Sequence, residues 1–494
     1  MISYGPVRRL PDWIAITAIL AVAAAARLWY LTAGVPHAVG IDEPIVVDHA
    51  LAILRTGDWN PHVFNYPSLV IYLHGGVDIV RFLWGAVGGE WTSLDGFDIA
   101  AVYQAARFVT AIVGVATVWL TYAIGTELAD RRVGLLAAAQ MAVRPMHVRE
   151  SHYALTDVPM TALVTLALWL TLRAARRRTI RDYAWAGAVC GLAAAAKYTG
   201  GVAFVGVVVA WLLNEWGAAD RGRKIGVAAG AAALAFLAAA PYTWLDLPAF
   251  LDGFASLFWQ YRVSTGAADS GWAVYAKHLW LDGPITLTVG LAGAVFVLAR
   301  GADRRRWAPI LAVALVHFYE MSTHGHIFGR YALPLLPIVC LLASSAAFTL
   351  VALTARVPAL SSRAAQRVLL AVAVLALLVR PAVASVRWLD QLKRPDTRTM
   401  AAAWLRENAP KGARLAVENS GPTYLGGAGF KVVPVELLFE HDVAWYRQRA
   451  DYLVISASDL ARHGDLLGAG PIVFQIAPTP QRWGPPIVIV ALRP

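Results

Sequence analysis

Two adjacent acids, Asp42 and Glu43, stand in the sequence Gly-Ile-Asp-Glu-Pro just after the first long apolar segment. A carboxylate there could remove a proton from a hydroxyl group whose oxygen attacks an electrophilic carbon. Ionisable side chains beside apolar, membrane-type segments are costly and often functional. Exposed acids are nevertheless common in loops, so for the dipeptide alone two solvated loop residues are the favoured interpretation, at roughly two to one.

A second motif, residues 149–159, reads Arg-Glu-Ser-His-Tyr-Ala-Leu-Thr-Asp-Val-Pro. His152 and Asp157 are close enough in sequence to face one cavity as acid–base groups. Thr156 or Asp157 before Pro159 also fits the capping chemistry of a helix N-terminus. The motif therefore supports a catalytic and a capping interpretation, and the two are compatible.

Two cations, each followed by a tyrosine, lie at the ends of other apolar segments. Lys197-Tyr198 follows a run of four alanines, and Arg330-Tyr331 precedes a long apolar stretch. Lysine offers a compact point charge and arginine a bidentate fork, and both suit a phosphate group. The alternative is that Lys197 snorkels and that Arg330-Tyr331 anchors a membrane interface.

The sequence gives little support for metal or redox chemistry. His324 and His326 are two residues apart without an evident third ligand, so we predict no metal and no other cofactor. Cys190 and Cys340 both fall inside apolar segments, which indicates no disulfide framework.

The composition is that of a protein with many membrane spans. Of its 494 residues 58% are hydrophobic and 15% charged, whereas a soluble domain is about a quarter charged. The net charge of +11 does not indicate nucleic-acid binding, because the basic residues follow the pattern of cytoplasmic loops. They form short clusters between apolar segments: Arg8-Arg9, Arg131-Arg132, Arg173 to Arg181, Arg221 to Lys224, Arg300 to Arg306 and Arg363 to Arg367.

A span requires about 20 mainly apolar residues, and this criterion predicts about 11 spans. We expect the first to be uncleaved rather than a signal peptide, and the basic clusters place the N-terminus in the cytoplasm and the C-terminus outside. Asp42, Asp157, Lys197 and Arg330 then all fall on the outer face. The predicted spans are 12–33, 101–127, 133–149, 157–172, 183–196, 200–214, 225–241, 279–299, 308–323, 331–353 and 368–386.

The predicted external loop 34–100 carries two further apolar segments. Residues 45–56 have the pattern of an interfacial helix. Residues 66–88 are apolar enough to span, which would invert the topology after them, but His74 and Asp78 interrupt the segment. We therefore predict a helix in the membrane plane.

The composition becomes mixed and soluble-like near residue 387. We predict a transmembrane domain over 1–386 and a small extracytoplasmic α/β domain over 387–494. A helix is expected over 396–408, because Asp396 precedes it and Pro410 follows it. Short strands are expected at 414–418, 431–435, 452–456, 472–475 and 487–490.

The order of these motifs resembles the GT-C class of membrane glycosyltransferases. The likeness is to the group of protein O-mannosyltransferases and aminoarabinose transferases, glycosyltransferase family 39 and its bacterial relatives. The motifs that carry it are Asp42-Glu43, Gly57-Asp58-Trp59, Tyr66-Pro67-Ser68-Leu69, Asp157 in Leu-Thr-Asp-Val-Pro, Lys197, Arg330-Tyr331-Ala-Leu-Pro-Leu-Leu-Pro and Asp396-Thr-Arg through Asn408-Ala-Pro-Lys-Gly.

The resemblance implies transfer of a sugar from a polyprenyl-phosphate carrier on the extracytoplasmic side, without a nucleotide sugar. Asp42 matches the acid taken as catalytic base in the first loop, and Asp157 matches a second-loop acid that shapes the site. Lys197 and Arg330 match basic positions near the lipid phosphate, where Tyr198 and Tyr331 adjoin them. Glu43 and His152 are further catalytic candidates.

These expectations describe a bacterial inner-membrane glycosyltransferase of inverting type. The acceptor is a lipid, a glycan or a protein, and the absence of an inserted lumenal domain speaks against a protein. Two other classes stay open. A transporter or lipid flippase would carry charged groups at mid-membrane, and an assembly subunit of a cell-envelope complex would use its outer domain for docking.

Overall fold

The computed structural model describes residues 12–262, 271–299, 301–433, 435, 437–456 and 463–493. The chain forms two compact units. The helical unit comprises the residues up to Trp29, Val46–Glu90 and Ala105–Val386, and the sheet unit comprises Tyr30–Ile45, Trp91–Gln104 and the residues from Arg387 onward. The segments Tyr30–Ile45 and Trp91–Gln104 thus group with the C-terminal residues, although the division predicted at residue 386 leaves them with the helices.

Apolar runs form helices throughout the first four fifths of the chain, and every predicted span lies on a helix or a helix pair. The interfacial helix predicted over 45–56 is also confirmed as a helix. In chain order the helices are α1 Asp12–Leu28, α2 Glu43–Thr56, α3 Leu69–Val87, α4 Ile99–Leu128, α5 Arg131–Ala142, α6 Pro145–Glu150, α7 Asp157–Arg177, α8 Ile180–Ala196, α9 Ala203–Asn214, α10 Arg221–Ala239, α11 Tyr242–Leu245, α12 Leu247–Arg262, α13 Gly271–Asp282, α14 Pro284–Ala299, α15 Gly301–Ser322, α16 Leu335–Thr354 and α17 Arg363–Gln391.

Several of these helices are long and apolar enough to cross a membrane. Within the described residues six pass on length and composition, namely α3, α4, α7, α10, α16 and α17, and α13 with α14 adds a seventh if this pair, bent by 113°, is one span. The other predicted spans lie on helices such as α1 and α8, each of 17 residues, on the broken pair α5 and α6, and on α15. Because α3 meets the same criterion, its length and composition permit a span where we predicted a helix in the membrane plane.

Helices α8 and α10 pack closely because glycines line their contact. Gly187 and Gly191 are four residues apart on α8, and a Cβ atom added to either would collide with the backbone carbonyl of Ala228 or Ala232 on α10. Small residues at this spacing let two helix backbones approach without intervening side chains, as in many membrane helix pairs. The contact fixes α8, which carries Lys197 at its C-terminal end.

A Gly187→Val variant is therefore expected to be less stable than the wild type by about 1–3 kcal/mol, because overpacking forces the two helices apart. Titration of the detergent-solubilised proteins with SDS measures the difference in the free energy of unfolding. Gly230→Val on α10 is a control for the intrinsic cost of a valine in a helix, since nothing lies near the added Cβ atom. Equal stability losses in the two variants would contradict the packing argument.

The breaks between α5 and α6 and between α13 and α14 are joined by a buried ion pair. Arg144 precedes α6 and donates from Nε to Asp282 Oδ2 at 2.8 Å. The other carboxylate oxygen accepts the backbone N–H of Met146 at 2.8 Å, and the arginine also donates to Thr286 at 3.0 Å. The carboxylate thus satisfies a backbone N–H that the break before α6 exposes, which lipid could not do.

The sheet unit contains a five-stranded mixed sheet in the order β2-β1-β3-β5-β4. Strand β1 pairs parallel with β2 and β3, whereas β5 pairs antiparallel with β3 and β4. The predicted helix and all five predicted strands are confirmed, with ends shifted by one or two residues. The elements are α18 Thr397–Asn408, β1 Arg414–Val417, β2 Lys431–Val433, α19 Val443–Arg449, β3 Tyr452–Ile455, α20 Gly464–Leu467, β4 Ile472–Ile476 and β5 Ile487–Ala491.

Candidate active site

Asp157, Lys197 and Arg330 form one buried charge cluster in the helical unit. The Lys197 ammonium donates to Asp157 Oδ1 at 2.6 Å. Arg330 Nε lies 3.4 Å from the other carboxylate oxygen, Oδ2. Asp157 begins α7, Lys197 follows α8, and Arg330 lies in the turn before α16. Three apolar helices therefore bring together side chains that are up to 173 residues apart, and the three charges sum to +1.

Two tyrosines border this cluster. The Lys197 ammonium lies 4.0 Å above the centre of the Tyr331 ring, and the Arg330 guanidinium lies 5.8 Å from it. The Tyr331 hydroxyl lies 3.4 Å from the hydroxyl of Tyr261 on α12. His317 fixes the turn by a 2.9 Å contact with the Tyr331 carbonyl oxygen. The aromatic ring thus holds the ammonium in place by a cation–π contact.

A cavity of about 660 Å³ adjoins the cluster at Tyr261. Most of its walls are aromatic or aliphatic side chains, and Glu320, Thr323 and His324 line it at the C-terminal end of α15 and just beyond. A cavity of this size, with apolar walls and a few polar groups, is typical of a small-molecule site. The lining residues are Tyr198, Thr199, Val202, Phe254, Leu257, Phe258, Tyr261, Glu320, Thr323 and His324.

Tyr198 forms part of this wall. Its hydroxyl donates to the carbonyl oxygen of Phe64 at 3.0 Å, and its ring meets the Phe254 ring edge-on at 5.3 Å. Since the hydroxyl is engaged with backbone, the tyrosine's main contribution to the site is the aromatic wall.

His324 and His326 have different partners. His324 Nε2 lies 3.0 Å from Glu320 Oε1, whereas His326 Nδ1 lies 2.8 Å from the carbonyl oxygen of Gln260. Over the part of the chain that the structure describes, no group of three or more His, Cys, Asp or Glu side chains is arranged to hold a metal ion.

His152 lies in the turn between α6 and α7. Its Nδ1 is 2.8 Å from the Val148 carbonyl oxygen, and its Nε2 is 2.9 Å from that of Trp29. Burial lowers the pKa of His152 to about 4, so the ring is neutral near pH 7 and donates to one of these carbonyls. Because both nitrogens face backbone, this geometry favours a positioning role over proton transfer.

Asp42 and Glu43 lie in the sheet unit, where α2 begins. The Glu43 side chain is fully buried, and its Oε2 accepts the backbone N–H of Gly40 at 2.7 Å. Asp42 is partly exposed. The preceding segment is held to the unit by a 2.9 Å bond from Arg398 to the Val39 carbonyl oxygen. The buried glutamate thus braces the turn that presents the aspartate.

Sequence reasoning missed Glu320 and Tyr261. Glu320 falls inside the predicted span 308–323, where a single acid does not interrupt an apolar run. Its spacing of four residues from His324 is a usable signal, because an acid and a histidine this far apart can pair around a helix end, as these two do. Tyr261 lies on α12, an amphipathic helix that the search for spans did not consider.

The fold is similar, at the level of architecture, to that of two solved membrane proteins. ArnT from Cupriavidus metallidurans, solved with undecaprenyl phosphate bound, superimposes with a TM-score of 0.61 at 14% identity over 97% of this chain and 98% of that one. The oligosaccharyltransferase of Archaeoglobus fulgidus gives 0.59 at 13% identity over 91% of this chain and 70% of that one. The same archaeal protein, AglB, has also been solved with an inhibitory peptide and a dolichol-phosphate.

A family profile supplies independent sequence support. Residues 92–244 match the family described as dolichyl-phosphate-mannose-protein mannosyltransferase. A search of curated proteins finds no match. The predicted resemblance is thus confirmed for this part of the chain, and the predicted fold, a multi-pass helical membrane protein with a small C-terminal mixed-sheet domain, is confirmed as well.

Proposed function

We propose that this protein is a membrane glycosyltransferase that moves a sugar from a polyprenyl-phosphate donor to a cell-envelope acceptor. The observation that carries the proposal is the pair of cations, Lys197 and Arg330, held on one buried carboxylate beside a cavity with aromatic walls. A phosphate needs the cations, and an isoprenoid chain needs the apolar walls. The fold shared with ArnT and the family match over 92–244 support the same chemistry.

In this proposal the donor phosphate binds Lys197 and Arg330. Asp157 is a positioning residue, because its two oxygens contact both cations and hold them side by side. Tyr331 supports the ammonium, and Tyr198 with Phe254 borders the isoprenoid chain. As the sugar leaves the carrier, the cations stabilise the charge that develops on the phosphate oxygen.

Asp42 is the proposed general base. The acceptor hydroxyl oxygen attacks the anomeric carbon, the bond from that carbon to the phosphate oxygen breaks, and the phosphate leaves with the electron pair. Asp42 takes the hydroxyl proton, and the anomeric configuration inverts. Glu43 supports the base by bracing its turn, and His152 supports the turn before Asp157.

The same proposal places the protein in a bacterial inner membrane. The basic clusters between spans assign the N-terminus to the cytoplasm and both the site and the C-terminal domain to the extracytoplasmic side. The acceptor is a lipid, a glycan or a protein of that compartment.

The test is a transfer assay in lipid nanodiscs. Purified protein receives a panel of polyprenyl-phosphate sugars with envelope extract as acceptor, and released carrier phosphate is measured. We expect turnover with at least one donor. A Lys197→Gln variant should raise the KM for that donor at least about tenfold, since it loses a charge-assisted contact to phosphate.

Lys277→Gln is the matched control, because Lys277 is an exposed lysine of the same unit and does not line the cavity. An unchanged KM in Lys197→Gln would contradict the assigned phosphate site. Folded wild-type protein without turnover on any donor would count against the glycosyltransferase itself.

A further inference from the structure

The cavity has one polar corner, formed by Tyr261, Glu320, Thr323 and His324. Glu320 lies in the last turn of α15, and His324 follows two residues after the helix ends. His324 Nε2 and Glu320 Oε1 are 3.0 Å apart, and the Tyr261 ring lies 4.5 Å from the imidazole ring. The remaining lining residues, apart from Tyr198 and Thr199, are apolar, so this corner is where the cavity can recognise a polar group.

Two atoms of the corner have no hydrogen-bond partner among the described residues. They are Glu320 Oε2 and His324 Nδ1, and both are buried. His317 Nδ1 lies 4.0 Å from Glu320 Oε2, beyond hydrogen-bond distance. Buried polar atoms are nearly always paired, and leaving one unpaired costs free energy. A lining group in this condition indicates a ligand that supplies the missing partner.

The chemistry of the two atoms defines that ligand. A carboxylate oxygen only accepts hydrogen bonds. His324 Nε2 faces the Glu320 carboxylate, and the tautomer that directs its ring hydrogen there leaves Nδ1 as an acceptor too. Two neighbouring acceptors bind a ligand with two neighbouring donors, such as adjacent hydroxyl groups or a hydroxyl beside an ammonium. They repel phosphate, which the Lys197 and Arg330 cluster attracts instead.

The corner is also in the right place for a sugar attached to that phosphate. Tyr261 borders the cavity and approaches the Tyr331 hydroxyl at 3.4 Å, and Tyr331 lies under the Lys197 ammonium at 4.0 Å. One tyrosine pair therefore connects the cationic cluster to the polar corner. The Tyr261 face additionally offers an aromatic surface to the C–H groups of a sugar ring.

We propose that the polar corner binds the sugar of the donor, with Glu320 Oε2 and His324 Nδ1 accepting hydrogen bonds from two of its hydroxyl or ammonium groups. This inference rests on the proposed function. It makes Glu320 and His324 the residues that select the sugar, whereas Lys197 and Arg330 select the carrier phosphate.

The experiment compares two ligands of the full-length protein in nanodiscs. Dissociation constants are measured for undecaprenyl phosphate and for the same carrier bearing mannose, glucose or aminoarabinose. Glu320→Gln keeps the side-chain shape. Its amide oxygen takes the place of Oε1 and accepts from His324, so an NH₂ group, which cannot accept, replaces Oε2. His324→Phe keeps the ring beside Tyr261 and removes Nδ1. His326→Phe is the control, since His326 does not line the cavity.

Each of the two corner variants is expected to raise the dissociation constant of the preferred sugar-bearing carrier at least about tenfold. The dissociation constant of undecaprenyl phosphate should stay unchanged. The control should change neither constant. Equal weakening of both ligands, or no weakening of either, would overturn the assignment of the sugar to this corner. This inference alone would be overturned if the wild-type protein binds undecaprenyl phosphate and none of the attached sugars increases the affinity. Wild-type protein that binds no polyprenyl phosphate would overturn the proposed function and this inference with it.

Discussion

An Asp42→Asn variant is expected to transfer sugar at least about 100-fold more slowly than the wild type at saturating donor, because an amide cannot accept the acceptor's proton. The change keeps the side-chain shape at the start of α2, and Glu43 still accepts the Gly40 N–H there. The KM for the donor should stay unchanged, since the phosphate contacts are assigned to Lys197 and Arg330. Released carrier phosphate in nanodiscs measures both quantities.

Asp95→Asn is a suitable control for this variant, because Asp95 is an exposed acid of the same unit. It should have wild-type turnover. Glu43→Gln retains an accepting oxygen for Gly40, so its loss of turnover should be much smaller than that of Asp42→Asn. Full turnover in Asp42→Asn would contradict the assignment of Asp42 as the general base. A raised KM without a loss of turnover would instead assign Asp42 to donor binding.

An Asp282→Ala variant is expected to lose about 3–5 kcal/mol of stability, because it leaves the Arg144 guanidinium buried without its counter-ion. Both side chains are at most 2% exposed, so water cannot replace the carboxylate. The same change removes the acceptor of the Met146 N–H at the start of α6. Thermal or SDS-induced unfolding in detergent measures the loss.

Asp252→Ala, an exposed acid on α12, is the control and should change stability by less than about 0.5 kcal/mol. The double variant Arg144→Met with Asp282→Leu should recover much of the loss, since apolar replacements remove both buried charges together. A stable Asp282→Ala protein would show that the pair contributes little to joining the two helix breaks.

Local signals sufficed for most of the elements. Apolar runs marked the helices, and short runs rich in valine, isoleucine and leucine marked the five strands of the C-terminal sheet. Helix α7 begins at Asp157, where the capping pattern placed a helix start, but the Thr156 side chain makes no capping hydrogen bond. Each of these features depends on residues within a few turns of one another, which a single sequence displays directly.

Contacts between residues far apart in the chain could not be predicted from the sequence. Arg144 and Asp282 are 138 residues apart, and the residues around each of them do not indicate the other as its partner. The two helix breaks did have a sequence signal that the prediction of spans did not use. Pro145 and Pro284 each occupy the first position of a helix. Likewise, the sequence suggested that Asp157, Lys197 and Arg330 face the same side, but the contact of one carboxylate with both cations required the packed helices.

That contact bears on how the enzyme would release its spent carrier. A phosphodiester donor carries one negative charge, whereas the free phosphomonoester carries between about 1.5 and 2 at neutral pH. Two unopposed cations would hold the more highly charged product more tightly than the substrate, and product inhibition would follow. With Asp157 between them, Lys197 and Arg330 present a net charge of +1, which matches the donor. In the proposed mechanism, the carboxylate that brings the two cations together would thereby also limit the residence time of the product.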